Sequence, residues 1–199
     1  MGAATKGRLR AAIAIGCMLA SAALIWFAWV KPMLDDPTAI ALGQGDYTLQ
    51  ATDGSTFTES TLKGQPTAVF FGFTHCPEVC PTTLADIALW QDELGAAAKD
   101  LQFYFVTVDP ERDTLDLLGE YVGWVPGVVG VSGSVEEIAK AEKAFRIFSR
   151  KIPLSDGEYT MDHSAYVMLF DADGEFFEPI GYQEELDRVM AKLNRLLQG

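Results

Sequence analysis

Cysteine is scarce in this chain, with three among 199 residues. Cys17 lies in an apolar N-terminal stretch, which leaves Cys76 and Cys80 for the rest of the chain. One local pair cannot staple a fold together, so the scarcity excludes a small disulfide scaffold. Two thiols this close in sequence instead predict a chemical role, which is either to close a disulfide or to bind a soft metal.

Basic residues are also few, at 15 against 28 acidic residues, for a net charge of −13. Four of the basic residues and none of the acidic ones lie at or before Lys31. Residues 32–199 therefore keep 11 basic and 28 acidic residues and carry −17. This balance argues against binding nucleic acid and against lying flat on an anionic membrane. It favours solubility and would attract basic patches on a partner protein.

Long uncharged stretches are rare in this chain. Only residues 11–30 form one of about twenty residues, which is the length needed to cross a bilayer core as a helix. Lys6, Arg8 and Arg10 precede this stretch, so the positive-inside rule predicts a cytoplasmic N-terminus. We therefore expect residues 1–30 to form a single-pass inner-membrane anchor. The folded part would then face the periplasm or an intermembrane space.

Two other interpretations of this stretch fit less well. A cleaved signal peptide could be cut near residues 21–23, but the apolar run continues through Trp29. A lipoprotein signal would use Cys17, which follows too short an apolar segment. Residues 31–45 contain prolines and glycines without sustained periodicity and are predicted to be a linker, which leaves 46–199 as the folded domain.

The folded part alternates strands and helices and contains no internal repeat. The pattern predicts strands at 67–73, 101–108 and 128–131, helices at 81–98, 114–122, 134–145 and 183–197, and hairpins at 47–58 and 165–180. Strands that alternate with helices indicate parallel crossovers in a central sheet, so the predicted class is α/β. A thiol pair on the first strand–helix turn makes the layout thioredoxin-like, with function at the carboxyl ends of strands.

The segment Cys76-Pro-Glu-Val-Cys80 follows a buried strand, and Pro81 suits the first turn of a helix, which would place Cys80 at the cap. In a helix-like loop, a rise of about 1.5 Å per residue sets the two Cα atoms about 6 Å apart. That separation permits a disulfide. It also lets both sulfurs face one metal ion.

His163 is the candidate third ligand and is predicted to open a buried strand. A lone histidine in such a place is often an interior residue whose hydrogen bonds are satisfied. Here two thiolates lack a third donor for a soft metal ion, which makes His163 a candidate ligand. A closed zinc site would want four ligands. Three ligands leave an open position, which suits metal transfer.

Other polar residues near these motifs have weaker claims. His75 is next to Cys76 but points to the opposite face, so it is predicted to be structural or a hydrogen-bond donor behind the ligands. Asp109 ends a central strand and could hydrogen-bond within the site or steer a partner. Capping the loop is the alternative for Asp109 and for Asp113. Met161 and Met168 are interpreted as core residues.

Three segments together resemble the signatures of the Sco/SenC family, whose members are membrane-anchored, thioredoxin-like copper chaperones for cytochrome c oxidase assembly. The likeness runs from about Tyr47 to the C-terminus, and the predicted anchor also fits it. The segments are Phe71-Gly-Phe-Thr-His-Cys-Pro-Glu-Val-Cys-Pro81, Val108-Asp-Pro-Glu-Arg-Asp-Thr114 and Asp162-His-Ser164.

The resemblance implies that Cys76, Cys80 and His163 bind copper, as Cu(I) or Cu(II), and that Asp109 lies near the site. It implies delivery to the dinuclear copper centre of an oxidase subunit, with other copper chaperones or thiol reductants as further partners. The alternative is an enzyme, a thiol–disulfide oxidoreductase that reduces the oxidase cysteines, in which Cys76 attacks and Cys80 resolves. A thiol peroxidase is a third, weaker possibility because the second thiol lies so close.

Overall fold

The computed structural model describes residues 42–155 and 157–199, together with residues 16, 18–21, 24 and 26. The chain divides into two compact units, residues 1–40 and 41–199. Most of the predicted anchor and most of the predicted linker lie outside the described residues. Within the part of the chain that is described, no helix is both long enough and apolar enough to span a membrane.

The described residues of the second unit form nine strands: β1 (Leu49–Ala51), β2 (Thr56–Phe57), β3 (Thr67–Gly72), β4 (Gln102–Thr107), β5 (Val128–Ser132), β6 (Ser149–Pro153), β7 (Tyr159–His163), β8 (Tyr166–Phe170) and β9 (Phe176–Gly181). Seven of them form a central mixed sheet in the order β2-β1-β5-β4-β3-β8-β9. The central pairs β3–β4 and β4–β5 are parallel, and the remaining pairs are antiparallel. This arrangement is the predicted parallel core with antiparallel hairpins at its flanks.

Four helices accompany the sheet: α1 (Val79–Leu94), α2 (Leu115–Val122), α3 (Val135–Ala144) and α4 (Leu186–Gln198). The helices α1 and α4 contact each other, and α2 contacts β5. All six residues of β3 are buried, as expected for a central strand covered on both faces. Side-chain caps begin two helices, since Thr114 accepts from the Leu117 N–H and Ser134 from the Glu137 N–H.

The start of α1 differs from the prediction. Glu78 is the N-cap, so Cys80 lies inside the first turn rather than at the cap. Pro81 is the third helical residue and is still within the turn whose N–H groups have no intrahelical partner, so its missing donor costs little. The helix ends at Leu94, and a 3-10 turn over Gly95–Asp100 replaces the predicted last helical turn.

One hairpin of the structure was not predicted from the sequence. It is formed by β6 (Ser149–Pro153) and β7 (Tyr159–His163). His163 is the last residue of β7, so the prediction that it opens the next strand is wrong. The reason is that both strands are only partly buried and carry charged residues, so neither shows the apolar alternation of a half-buried strand.

Candidate metal centre

The two cysteines lie between the carboxyl end of β3 and the first turn of α1. Cys76 is half-buried, Cys80 is buried, and both thiols are free. The Cys76 N–H donates to the Phe73 carbonyl at 3.2 Å, which turns the chain sharply after the strand. The Cys80 N–H donates to Cys76 Sγ at 3.4 Å. Cys76 therefore receives one of the unpaired N–H groups of the helix start, which favours its thiolate.

The two thiols titrate in opposite directions. A hydrogen bond from the Cys80 thiol lowers the pKa of Cys76 far below its usual value, and a further bond to His163 adds to this effect. The same bond to Cys76, together with burial, raises the pKa of Cys80. At neutral pH, Cys76 is therefore the thiolate, and Cys80 holds the proton of the pair.

His163 reaches the cysteines from the end of β7. Its Nδ1 lies 2.8 Å from the Ser164 carbonyl oxygen, an acceptor, so Nδ1 carries the proton and donates it there. The other ring nitrogen, Nε2, faces the cysteines and lies 3.8 Å from Cys80 Sγ. The rings of Phe73 and Phe70 stand edge-on to the imidazole, at centroid distances of 5.6 and 6.4 Å. A backbone acceptor on the far nitrogen is how metal-binding histidines are commonly oriented.

The three side chains form one group, with a ligand atom from each lying within 4.8 Å of the other two. The residues come from separate parts of the chain, and 83 positions separate Cys80 from His163. The structure thus brings together the three candidates that the sequence analysis named. Two sulfurs and one imidazole nitrogen are donors that suit a soft ion such as Cu(I).

The other candidates lie outside this group. Asp109 is buried, but its carboxylate accepts from Arg112 and Tyr159 and has no described contact with the sulfurs. The His75 side chain is 51% exposed and bonds to Thr74. Met161 packs against the core, and Met168 is fully buried in it.

Asp113 supports the cysteine segment, a role that the sequence analysis did not assign. Its carboxylate accepts from the Thr74 N–H at 3.1 Å and from the hydroxyls of Thr74 and Thr107, each at 2.6 Å. The buried Asp113 side chain therefore fixes the backbone two residues before Cys76 to the end of β4. The sequence shows Asp109 and Asp113 in one loop, but it does not show their hydrogen-bond partners, which are distant in sequence.

Comparison with known proteins gives consistent matches over about three quarters of the chain or more. Residues 35–198 match the family model described as SCO1/SenC. The copper-bound structure of ScoI from Bradyrhizobium japonicum is 39% identical, with a TM-score of 0.70, over 77% of this chain and 99% of that one. The copper-bound structure of ScoI from Arabidopsis thaliana is 32% identical, with a TM-score of 0.73, over 79% and 99% of the respective chains.

A curated relative gives the same result at the level of sequence. The mitochondrial SCO1 homolog 1 of Arabidopsis thaliana is 35% identical over 147 residues, which is 73% of this chain and 44% of the relative. The chain spans about half the length of the curated relatives it matches. The structural neighbours confirm the thioredoxin-like α/β fold. With a family model matched over residues 35–198, this chain belongs to the SCO1/SenC family.

Proposed function

We propose that this protein is a copper chaperone that delivers copper to the dinuclear copper centre of cytochrome c oxidase during assembly. The observation that carries the proposal is the group of Cys76, Cys80 and His163, whose ligand atoms lie within 4.8 Å of one another. The copper-bound relatives of Bradyrhizobium and Arabidopsis support it.

The geometry suggests how the cargo is held and released. Cu(I) prefers thiolates, so the Cys76 thiolate is the first ligand, and Cys80 loses its proton as the ion binds. Nε2 of His163 completes a three-coordinate set. A fourth position stays open for a thiolate of the target, which can then replace the chaperone's ligands one at a time. Cu(II) would add an oxygen ligand from water or a carboxylate.

The N-terminal stretch has the composition of an anchor. We propose that residues 11–30 cross the inner membrane once, that residues 31–45 are a linker, and that residues 46–199 form the copper domain outside the cytoplasm. In support, Met18, Leu19 and Leu24 are helical, and their apolar side chains are 72%, 67% and 70% exposed. A reporter enzyme that is active only outside the cytoplasm should be active when fused after Gly199, and inactive once residues 11–30 are deleted.

A copper titration of the reduced full-length protein tests the ligand set. The wild type should bind one copper ion per chain, and Cys76→Ser or Cys80→Ser should abolish tight binding because a hydroxyl is a poor ligand for Cu(I). The chain offers matched controls, since Cys17→Ser and His75→Ala change the one other cysteine and the one other histidine of the sequence, which the proposed ligand set does not include. Undiminished stoichiometry in the double serine variant would contradict the proposal.

The second candidate function is thiol–disulfide exchange with the oxidase cysteines. The observation that favours it is the asymmetry of the pair, a thiolate at the half-buried Cys76 and a protonated, buried Cys80. His163→Ala separates the two functions, because thiol exchange does not need the imidazole. If the protein is a copper chaperone, the His163→Ala variant should lack the Cu(II)–thiolate charge-transfer band and should not support oxidase assembly. Normal assembly with His163→Ala but none with Cys76→Ser would instead support the reductase.

A further inference from the structure

The β6–β7 hairpin is held in place by side chains rather than by strand pairing. Among residues 42–155 and 157–199, no ladder of hydrogen bonds joins this hairpin to the seven-stranded sheet. An isolated two-stranded hairpin is marginally stable in water. Because His163 ends β7, whatever fixes the hairpin against the domain also fixes the imidazole relative to the sulfurs.

Tyr159, the first residue of β7, is bound from three directions. Its hydroxyl donates to Asp109 Oδ1 at 2.8 Å, and its carbonyl accepts from Arg112 Nη1 at 3.0 Å. The Arg112 guanidinium lies over the tyrosine ring, 3.8 Å from the centroid, while Arg112 Nε donates to Asp109 Oδ2 at 2.5 Å. Burial and the bond to Asp109 raise the pKa of Tyr159 to about 12, so the hydroxyl stays protonated and remains a donor.

Tyr159 and His163 lie at opposite ends of the same strand, β7, so the contacts of Tyr159 also restrain His163. Alternate residues of a strand share a face, so Tyr159, Met161 and His163 lie on the same side of β7, and Met161 packs against the core. Tyr159 and His163 are four residues apart, about 13 Å along a strand. At the other end, Phe148 and Ser164 exchange two hydrogen bonds, of 3.0 and 3.1 Å.

The loop that holds Tyr159 also holds the cysteine segment. Asp109 and Arg112 contact the hairpin, while Asp113 accepts three hydrogen bonds, two of them from Thr74. The loop is itself closed by hydrogen bonds from the Arg112 and Asp113 N–H groups to the Asp109 carbonyl, at 3.2 and 3.0 Å. Residues 109–113 therefore connect the two halves of the metal centre without placing a ligand in it.

We propose that Asp109, Arg112 and Tyr159 are positioning residues for His163. They lock the hairpin onto the same loop that fixes the thiols, so the imidazole is already set beside the sulfurs before copper arrives. Asp109 thus acts through the tyrosine at the opposite end of β7, not at the ion. The inference rests on the proposed function only in using copper affinity as one of its two measurements.

The first measurement needs no copper. Tyr159→Leu removes both the hydroxyl and the ring, whereas Tyr159→Phe removes the hydroxyl alone. Arg112→Lys keeps the positive charge but loses the planar guanidinium, which donates several hydrogen bonds in a fixed geometry. Backbone amides of β6 and β7 should exchange hydrogen faster in all three variants of the copper-free full-length protein, with Tyr159→Leu the fastest. Tyr104→Phe is the matched control, because it deletes a comparable tyrosine hydrogen bond, to Gln102, away from the hairpin. Unchanged exchange in the hairpin of Tyr159→Leu would overturn the inference.

The second measurement is Cu(I) affinity, determined by competition with a chelator. Loss of groups that orient a metal ligand costs about 10- to 100-fold in affinity, which is the range expected for Tyr159→Leu. Tyr159→Phe and Arg112→Lys should give smaller losses, and Tyr104→Phe none. If Tyr159→Leu fails to fold, judged by its circular dichroism melt, the two milder variants carry the same test.

Repeating Tyr159→Leu in a His163→Ala background isolates the mechanism. If the tyrosine acts through the imidazole, it has nothing left to position, and the double variant should bind Cu(I) as weakly as His163→Ala alone. A further loss as large as in the wild-type background would show general structural damage and overturn the inference. If His163→Ala by itself does not change the affinity, the proposed ligand set fails. If His163→Ala weakens binding but Tyr159→Leu does not, only the positioning role fails.

Discussion

At the scale of single residues, the main feature of the candidate metal centre is the difference between its two thiols. Cys76 receives hydrogen bonds from the thiol and the N–H of Cys80, whereas Cys80 is fully buried at the base of α1. The half-buried sulfur is therefore charged, and the buried one is neutral. A partner thiolate or disulfide that approaches from solvent meets Cys76 first.

This inequality predicts selective alkylation. With iodoacetamide, Cys76 should react faster than Cys80 at pH 7, because only the thiolate is a nucleophile and Cys80 is also shielded. Since the pKa of Cys76 is lowered, its rate should stay high as the pH falls from 8 to 5, where an ordinary thiol with a pKa near 8.5 would slow about tenfold per pH unit. Peptide mass spectrometry measures both rates, with guanidinium-unfolded protein as the control. Equal rates for the two cysteines in the folded protein would contradict the assignment.

At the scale of elements, the position of the thiols depends on how closely α1 approaches β3. Gly72, the last residue of β3, lies under the first turn of the helix. A Cβ added there would come within 2.8 Å of both Cys80 Sγ and the Phe105 ring. Only glycine lets the buried cysteine pack directly on the strand, so the strand end and the helix start are fitted to each other.

Gly72→Ala should therefore affect both the fold and the site. Overpacking of this kind costs about 1–3 kcal/mol of unfolding free energy, and movement of Cys80 should weaken copper binding in the same variant. Gly119→Ala is the control: its new Cβ would be in ordinary contact with Thr52, and alanine in the middle of α2 should add up to about 1 kcal/mol. Urea unfolding measures both changes. A stability for Gly72→Ala equal to that of the wild type would contradict the close packing.

At the scale of the whole molecule, residues 32–199 carry −17, and the acidic charge is spread over the folded unit. A protein so charged attracts basic surfaces at long range and repels anionic ones. If the proposed target presents basic residues around its copper-site cysteines, electrostatic steering raises the rate of encounter and leaves the dissociation rate largely unchanged.

The expected signature is a salt-dependent association rate. Raising the ionic strength from about 20 to 500 mM shortens the Debye length several-fold, so association with the oxidase copper-site subunit should slow by about tenfold or more. Surface plasmon resonance with the full-length proteins in detergent measures association and dissociation separately. The dissociation rate serves as the internal control. An association rate that does not respond to salt would mean that the acidic surface serves solubility alone.

Much of this architecture could be predicted from sequence. Hydrophobic runs, turn residues and capping residues are local signals, so the three central strands, the four helices and the two hairpins were predicted within a few residues. Donor chemistry and the resemblance to the Sco/SenC family named Cys76, Cys80 and His163 as candidate ligands, and the structure places them together. The β6–β7 hairpin was missed because its strands are partly buried and charged. They are stabilised by contacts with distant residues, and such contacts produce no alternation of apolar and polar residues in the sequence.

The sequence by itself determined the fold class, the family and the three candidate donors, because each depends on residue types and on the short motifs that carry them. Tertiary structure alone decided how those donors are arranged and charged. The Ser164 carbonyl determines that Nδ1 of His163 carries a proton, and the buried thiol of Cys80 favours the charged form of Cys76. The position of the hairpin depends on the hydrogen bond between Tyr159 and Asp109, which are 50 positions apart. Such contacts form only after the chain has folded, since their energies depend on distances that residue order does not specify.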